Sequence, residues 1–289
     1  MNQIVETDDV DYVIAIDTDS LYINFGPMVE KFGFDKNGKS ECVDILSKIA
    51  AEKFEPMFEK AYDDLAKYMN AYANRMGMDR EVIADAGIWT AKKRYILNMH
   101  DKEGVRYKTP KLKIMGIEAV KSSTPNSCRE ALKELFKVII SSSESEVQDA
   151  IKTFKQHFKT LPPHEIAFPR GVKEINKWVD RNIKYKSGTP IHVRGSILYN
   201  NVLVDKDLKK RYDMIKEGEK IKFIYLKQPN SIGENIIAFP DYLPEEFGLH
   251  KYVDYELQFD KAFLKVVEPV LSAIGWSVEP RVSLDEFFS

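Results

Sequence analysis

Two short apolar runs open the pattern, Tyr12 to Ile16 and Leu21 to Phe25, separated by Asp17-Thr18-Asp19-Ser20. Strand-length apolar runs around four turn-forming residues predict a tight β-hairpin. Asp35-Lys36-Asn37-Gly38-Lys39 is a turn-rich break, after which apolar positions recur at helical spacing. They are Cys42, Ile45, Leu46, Ile49 and Ala50, continued by Met57, Phe58, Ala61, Tyr62, Leu65, Tyr68, Met69 and Tyr72. One long helix is expected, kinked or restarted at Pro56, where proline withdraws a backbone donor. Residues 81–84, 93–99, 105–107 and 111–114 read as strands, with turns at Gly87 and at Asp101 to Gly104.

The pattern turns helical near residue 124. Thr124-Pro125 suits a helix start, with Thr as cap and proline in the first turn. Ala131, Leu132, Leu135, Phe136 and Ile139 form its buried stripe. Ser143 to Glu146 has capping-box spacing and opens a second helix with Val147, Ala150, Ile151, Phe154 and Phe158 on its apolar face. After Pro162-Pro163 comes a mixed, basic region, then a strand-like stretch from Lys220 to Leu226, a loop at Gln228 to Gly233 and further helix toward Ile274. The expected fold class is α+β: an antiparallel sheet with a long helix, then a mostly helical part, divided near residue 120.

The 289 residues are 44% hydrophobic and 30% charged, ample for a buried core. No apolar run approaches the roughly 20 residues that span a bilayer, and the acidic start is unlike a secretory signal. A cytoplasmic protein without membrane contact is expected. Cys42 and Cys128 are far apart with no Cys or His at metal-ligand spacing, so both read as buried reduced thiols. The net charge of -2 conceals an asymmetry. From Lys92 to Lys227 there are 30 Lys and Arg against 16 Asp and Glu, while the flanks are acidic. Basic runs usually mean solvated faces, but such a middle also fits a polyanion groove.

Strand alternation would send Asp17 and Asp19 to one side, converging where a hard cation could bind. Alone, the tetrapeptide reads first as an ordinary turn. Three segments further along the chain tip the balance: Asp79-Arg80-Glu81, then Trp89-Thr90-Ala91-Lys92-Lys93-Arg94-Tyr95, then Lys111-Leu112-Lys113-Ile114-Met115-Gly116-Ile117-Glu118. In this order the segments resemble the C-terminal part of B-family DNA polymerases of the T-even-like phage type. The resemblance runs from about residue 10 to the end. It implies the end of a palm over residues 1–120, a thumb over 121–275 and a clamp-binding tail over 276–289.

By that resemblance Asp19 is a ligand shared by two Mg2+ ions, Asp17 its support, and Glu81 a further acidic residue near the site. Pairing of Glu81 with Arg80 is the bland alternative. Lys92, Lys93, Arg94 and Tyr95 would track primer-template DNA, with Lys93 reaching the minor groove and Tyr95 near the primer end. Minor-groove acceptors are shared among correct base pairs, so such contacts check geometry without reading sequence. Lys113 and Lys121 are phosphate candidates where palm meets thumb, and Arg194, within His192-Val193-Arg194-Gly195-Ser196, is another. Leu284, Phe287 and Phe288 resemble a sliding-clamp tail; packing on the chain's own thumb is the alternative.

The family's nucleotide-binding helix and its other metal-binding Asp, which opens an Asp-Ser-Leu-Tyr-Pro motif, have no counterpart here. Asp19-Ser20-Leu21-Tyr22 ends in Ile23, and Ile16 stands where the family commonly has glycine. No exonuclease region precedes Met1. The expectation is half of a split polymerase, inactive until an N-terminal partner chain supplies the fingers, the dNTP site and the second carboxylate for the shared Mg2+ ions. Two rivals remain: a non-catalytic DNA-binding and clamp-tethering module, and a small metal-dependent nuclease built on Asp17, Asp19 and Glu81.

Overall fold

The computed structural model describes residues 2, 6–180 and 183–280. The chain divides into two compact units, Met1–Gly87 with Ala91–Lys113, and Ile88–Thr90 with Ile114–Ser289.

In the first unit, β1 (Val13–Asp17) and β2 (Ser20–Ile23) form the expected hairpin, with Asp17 opposite Ser20 and Ile16 opposite Leu21. Helix α1 (Gly26–Phe32) comes next and ends at Gly33, whose left-handed backbone closes it. Helices α2 (Lys39–Ile49) and α3 (Glu55–Tyr68) are joined by a π-helical turn at Ala50–Phe54. The restart at Pro56 is therefore real, and its form is a widened turn just ahead of the ring that cannot donate a hydrogen bond.

A three-stranded sheet in the order β3 (Val82–Ala91), β4 (Arg94–Lys102), β5 (Val105–Met115) succeeds the helices. Two expectations fail here. Gly87 lies inside β3 instead of in a turn, and the turn falls at Lys92 and Lys93. The stretches 105–107 and 111–114 are one strand, continuous through Pro110. β5 is an edge strand, the kind of position to which proline within a sheet is confined.

In the second unit, α4 (Asn126–Ser141) and α5 (Glu144–Phe158) bury the stripes anticipated for them, through Leu132, Leu135, Phe136 and Ile139 and through Val147, Ile151 and Phe158. The Ser143 and Glu146 capping box is present, with Ser143 N donating to Glu146 Oε2 at 2.9 Å. Thr124 does not cap α4. Its hydroxyl donates to the Glu118 carbonyl at 2.8 Å, and Pro125 occupies the cap position.

Helix α6 (Ile191–Asp205) was not anticipated, because its buried residues, Val193, Gly195, Ser196, Ile197, Leu198, Tyr199, Val202 and Leu203, cover most of its circumference and leave only a narrow polar strip, Arg194, Asn201 and Asp205, to mark the period. It packs on an antiparallel sheet in the order β10 (Ile236–Phe239), β9 (Lys220–Tyr225), β6 (Phe168–Gly171). A small hairpin, β7 (Val179–Asp180) and β8 (Lys184–Tyr185), lies between β6 and α6 in the chain. Helices α7 (Tyr255–Phe259) and α8 (Lys265–Ala273) complete the core, where Phe154, Phe158, Phe259 and Phe263 cluster. Buried Gln258 is satisfied on both sides, donating to the Ile166 carbonyl at 2.6 Å and accepting from Tyr225 N at 3.2 Å. The fold is α+β, and this unit carries a central sheet as well as helices.

Candidate active-site hairpin and basic turn

Asp17 ends β1, whereas Asp19 sits in the turn beyond it. Thr18 takes a left-handed backbone, φ 55°, and Asp19 N donates to the Asp17 carbonyl at 2.7 Å. The alternation argument for the two carboxylates is corrected accordingly, since the strand stops at Asp17. Asp17 is half-buried and Asp19 is exposed.

Lys92 and Lys93 form the turn between β3 and β4, and Lys93 is also left-handed, φ 63°. The strand expected over 93–99 therefore starts one residue later, and of the basic tetrapeptide only Arg94 and Tyr95 belong to β4. The turn carries the Lys93 ammonium to 3.4 Å from Asp17 Oδ1. Tyr95 is buried, and its hydroxyl is hydrogen-bonded at 2.8 Å to that of Tyr22 on β2, their rings tilted at a centroid distance of 5.4 Å. Burial foremost, then the bond to Tyr22 and the charges of Glu81 and Asp17, push the Tyr95 hydroxyl well above the usual phenol range. Asp17, Tyr22, Glu81, Lys93 and Tyr95 therefore share one electrostatic neighbourhood. Tyr22 was missed by sequence reasoning, although its place opposite Ala15 follows from the hairpin register.

Glu81 pairs with Lys113, Nζ to Oε1 2.6 Å, and not with Arg80. Arg80 instead reaches Asp101, which also accepts from Gly104 N at 3.0 Å and lies 3.5 Å from Arg106 Nε. Burial alone would raise the Asp101 carboxyl, but Arg80, Gly104 N–H and Arg106 together hold it below the usual carboxylate range. A second unanticipated group surrounds Asp85, which accepts from Asn98 Nδ2 at 2.7 Å, lies 3.0 Å from His100 Nε2 and pairs with Lys39. Asn98 and His100 share one strand face at the period of two, the signal that could have found them.

In the second unit, Lys121 is held by Glu118 at 2.9 Å. A surface pair of this kind contributes about 0–1 kcal/mol and does not withhold the ammonium from a phosphate. Arg194, in the first turn of α6, donates to Asn235 Oδ1 at 2.7 Å and lies over the Tyr185 ring, 5.8 Å from its centroid. Arg170, on the unanticipated strand β6, donates to the Ser123 carbonyl at 2.9 Å. Burial, then the Arg170 charge, lowers the pKa of His192. Leu284, Phe287 and Phe288 lie outside the described residues.

Carboxylate oxygens are the donor type that Mg2+ takes, so the Asp17 and Asp19 side chains fit part of such a ligand set. Among the described residues no three His, Cys, Asp or Glu side chains gather as a metal-binding group. No helix among the described residues is long and apolar enough to cross a membrane.

Over its full length the chain is homologous to a region of the B-family DNA polymerases. It is 33% identical over 302 residues to the DNA-directed DNA polymerase of Enterobacteria phage T4 and 34% identical over 305 residues to that of Escherichia phage RB69. Both comparisons take in 100% of this chain and 33% of the relative. A DNA polymerase of Desulfurococcus sp. (strain Tok) is 25% identical over 251 residues, covering 86% of this chain and 29% of the relative. The chain thus spans about a third of the length of these relatives. No family model matches it.

Proposed function

We propose that this chain is the C-terminal palm and thumb portion of a template-directed DNA polymerase, which extends a primer 3′-hydroxyl with dNTPs once the remaining portion is supplied. The observation that carries this reading is homology along the whole chain to one third of the phage polymerases. The arrangement of Asp17, Lys93 and Tyr95 beside the hairpin supports it.

In this reading residues 1–120 are palm, 121–275 thumb and 276–289 a sliding-clamp tail. Asp19 and Asp17 would hold Mg2+ together with a carboxylate from the partner portion. Such ions lower the pKa of a primer hydroxyl and neutralise the triphosphate. Lys93 lies beside Asp17 and would give its charge to the DNA minor groove as the primer terminus docks. Tyr95, kept protonated by burial and by Tyr22, would form a neutral, rigid wall there. Lys92, Arg94, Lys113, Lys121 and Arg194 would follow the duplex phosphates, positioning without specifying sequence. Glu81, neutralised by Lys113, would tune the field at the site without binding metal directly.

Primer extension on a primed template tests the proposal, with Mg2+ and four dNTPs, using this chain, the companion polypeptide matching the rest of the phage polymerases, and their mixture. Synthesis in the mixture alone, abolished by Asp19→Ala, is expected. A mixture that forms a complex but makes no DNA would favour a non-catalytic tether. DNA degradation by this chain alone would favour the nuclease.

A further inference from the structure

Helix α3 carries more apolar surface than the described residues of its own chain cover. Phe58, Tyr62 and Ala66 line its half-buried side, and Phe54 just before it packs edge-on against Phe25 with centroids 5.2 Å apart. A second apolar row, Met57, Ala61, Leu65 and Tyr68, runs at i, i+4, i+8 and i+11, which is one stripe on an α-helix. That row faces solvent. Met57 is 54% exposed, Leu65 45% and Tyr68 86%, and exposed Met69, Tyr72 and Met76 continue it along the chain. The two rows together make an apolar arc about half the helix circumference wide, where a helix that buries one face needs about 100°. No residue of α3 is fully buried. A run of large exposed side chains of this kind marks a docking surface.

We propose that the Met57, Ala61, Leu65 and Tyr68 row is the assembly surface for the polypeptide corresponding to the two thirds of the phage polymerases outside the matched region. This rests on the proposed function, in which the chain is one portion of such an enzyme. Length argues for that occupant over a second copy. The relatives that match all of this chain are about three times as long, so a surface covered by the rest of a relative would be bare where one third stands by itself. Met and Tyr are also side chains enriched in interface cores, where Met adapts to a partner's shape and Tyr supplies rigid contact area.

The test uses the full chain and the companion polypeptide from the same genome that matches the remaining two thirds, with affinity measured by titration and synthesis by primer extension. Leu65→Lys is expected to weaken binding at least about tenfold, as for a central interface residue, and to lower synthesis at limiting companion in the same proportion. Its effect on thermal unfolding of the lone chain is expected to be small. Tyr68→Asp, at a more exposed position, provides the same reading if Leu65→Lys lowers the melting temperature. Lys67→Glu, on the polar side of α3, should leave binding unchanged.

Wild-type binding that neither Leu65→Lys nor Tyr68→Asp weakens would overturn the assigned surface and leave the polymerase reading standing. Failure of the wild-type chain to bind the companion would overturn both. A lone chain that dimerises, and that Leu65→Lys returns to monomer, would assign the row to a second copy and overturn the proposal.

Discussion

Lys93 Nζ lies 3.4 Å from Asp17 Oδ1, so the β3 to β4 turn sets an ammonium beside a candidate metal ligand. An ammonium there competes with a divalent ion for the same oxygen. Under the proposed function, Lys93→Met in the assembled enzyme should lower primer extension by about tenfold through loss of the DNA contact which that reading assigns to it, while shifting half-saturation by Mg2+ to lower concentration. Rates measured across a Mg2+ titration separate the two effects. An unchanged half-saturation would show that Asp17 does not meet the ion.

Gly195 lets α6 lie close against β10. A Cβ there would stand 2.9 Å from Ala238 N and 3.2 Å from the Ile237 carbonyl carbon. Neither backbone atom can give way cheaply, so Gly195→Ala should cost about 1–3 kcal/mol and Gly195→Val more. Urea unfolding of the lone chain measures this. A neutral alanine would show that helix and sheet separate easily.

Removing the Asp101 charge leaves Arg80 without its partner in a largely buried place. Asp101→Asn is expected to destabilise by about 2–4 kcal/mol at neutral pH. The Asp101 carboxyl is depressed in the folded state, so its contribution is full above the unfolded value of about 3.9 and is lost as pH falls through the folded value. The stability gap between wild type and variant should therefore close below about pH 4. Melting temperatures of both proteins between pH 2 and pH 7 would reveal a gap that persists, and that result would remove Asp101 as the origin.

The two cysteines should react at different rates. Cys128 is fully buried, and burial pushes its thiol up to about 12, whereas Cys42 is only half-buried. A thiol reagent at pH 8 should modify Cys42 slowly and Cys128 only after denaturant is added. Two thiols titrating together in native buffer would contradict the packing around α4.

Sequence reading did best where local chemistry decides structure. The hairpin at Asp17 to Ser20, the Ser143 and Glu146 capping box and the stripes of α4 and α5 each depend on residues a few positions apart. It did worst where neighbours were distant in the chain. Gly87 reads as a turn, yet it lies in a strand that β4 pairs, and α6 buries most of its circumference because β10 and other elements pack around it. At the candidate site, the residue types at Asp17, Asp19, Lys93 and Tyr95 were legible, and their setting was not. Strand character reads on through Thr18 and from Lys93, whereas left-handed residues make turns at both places.

The sequence by itself determined the order of the motifs, the kinship with phage polymerases along the whole chain and the helical period that runs through Leu65. Those properties are carried by residue identity and spacing along one dimension. Only the tertiary structure decided that Tyr22 meets Tyr95, that Glu81 pairs with Lys113 while Arg80 goes to Asp101, and that the Met57 to Tyr68 row is left uncovered. The physical reason is that charges and hydroxyls pair with what the packed backbone brings within reach, and burial is set by the elements that surround a helix and not by the helix itself.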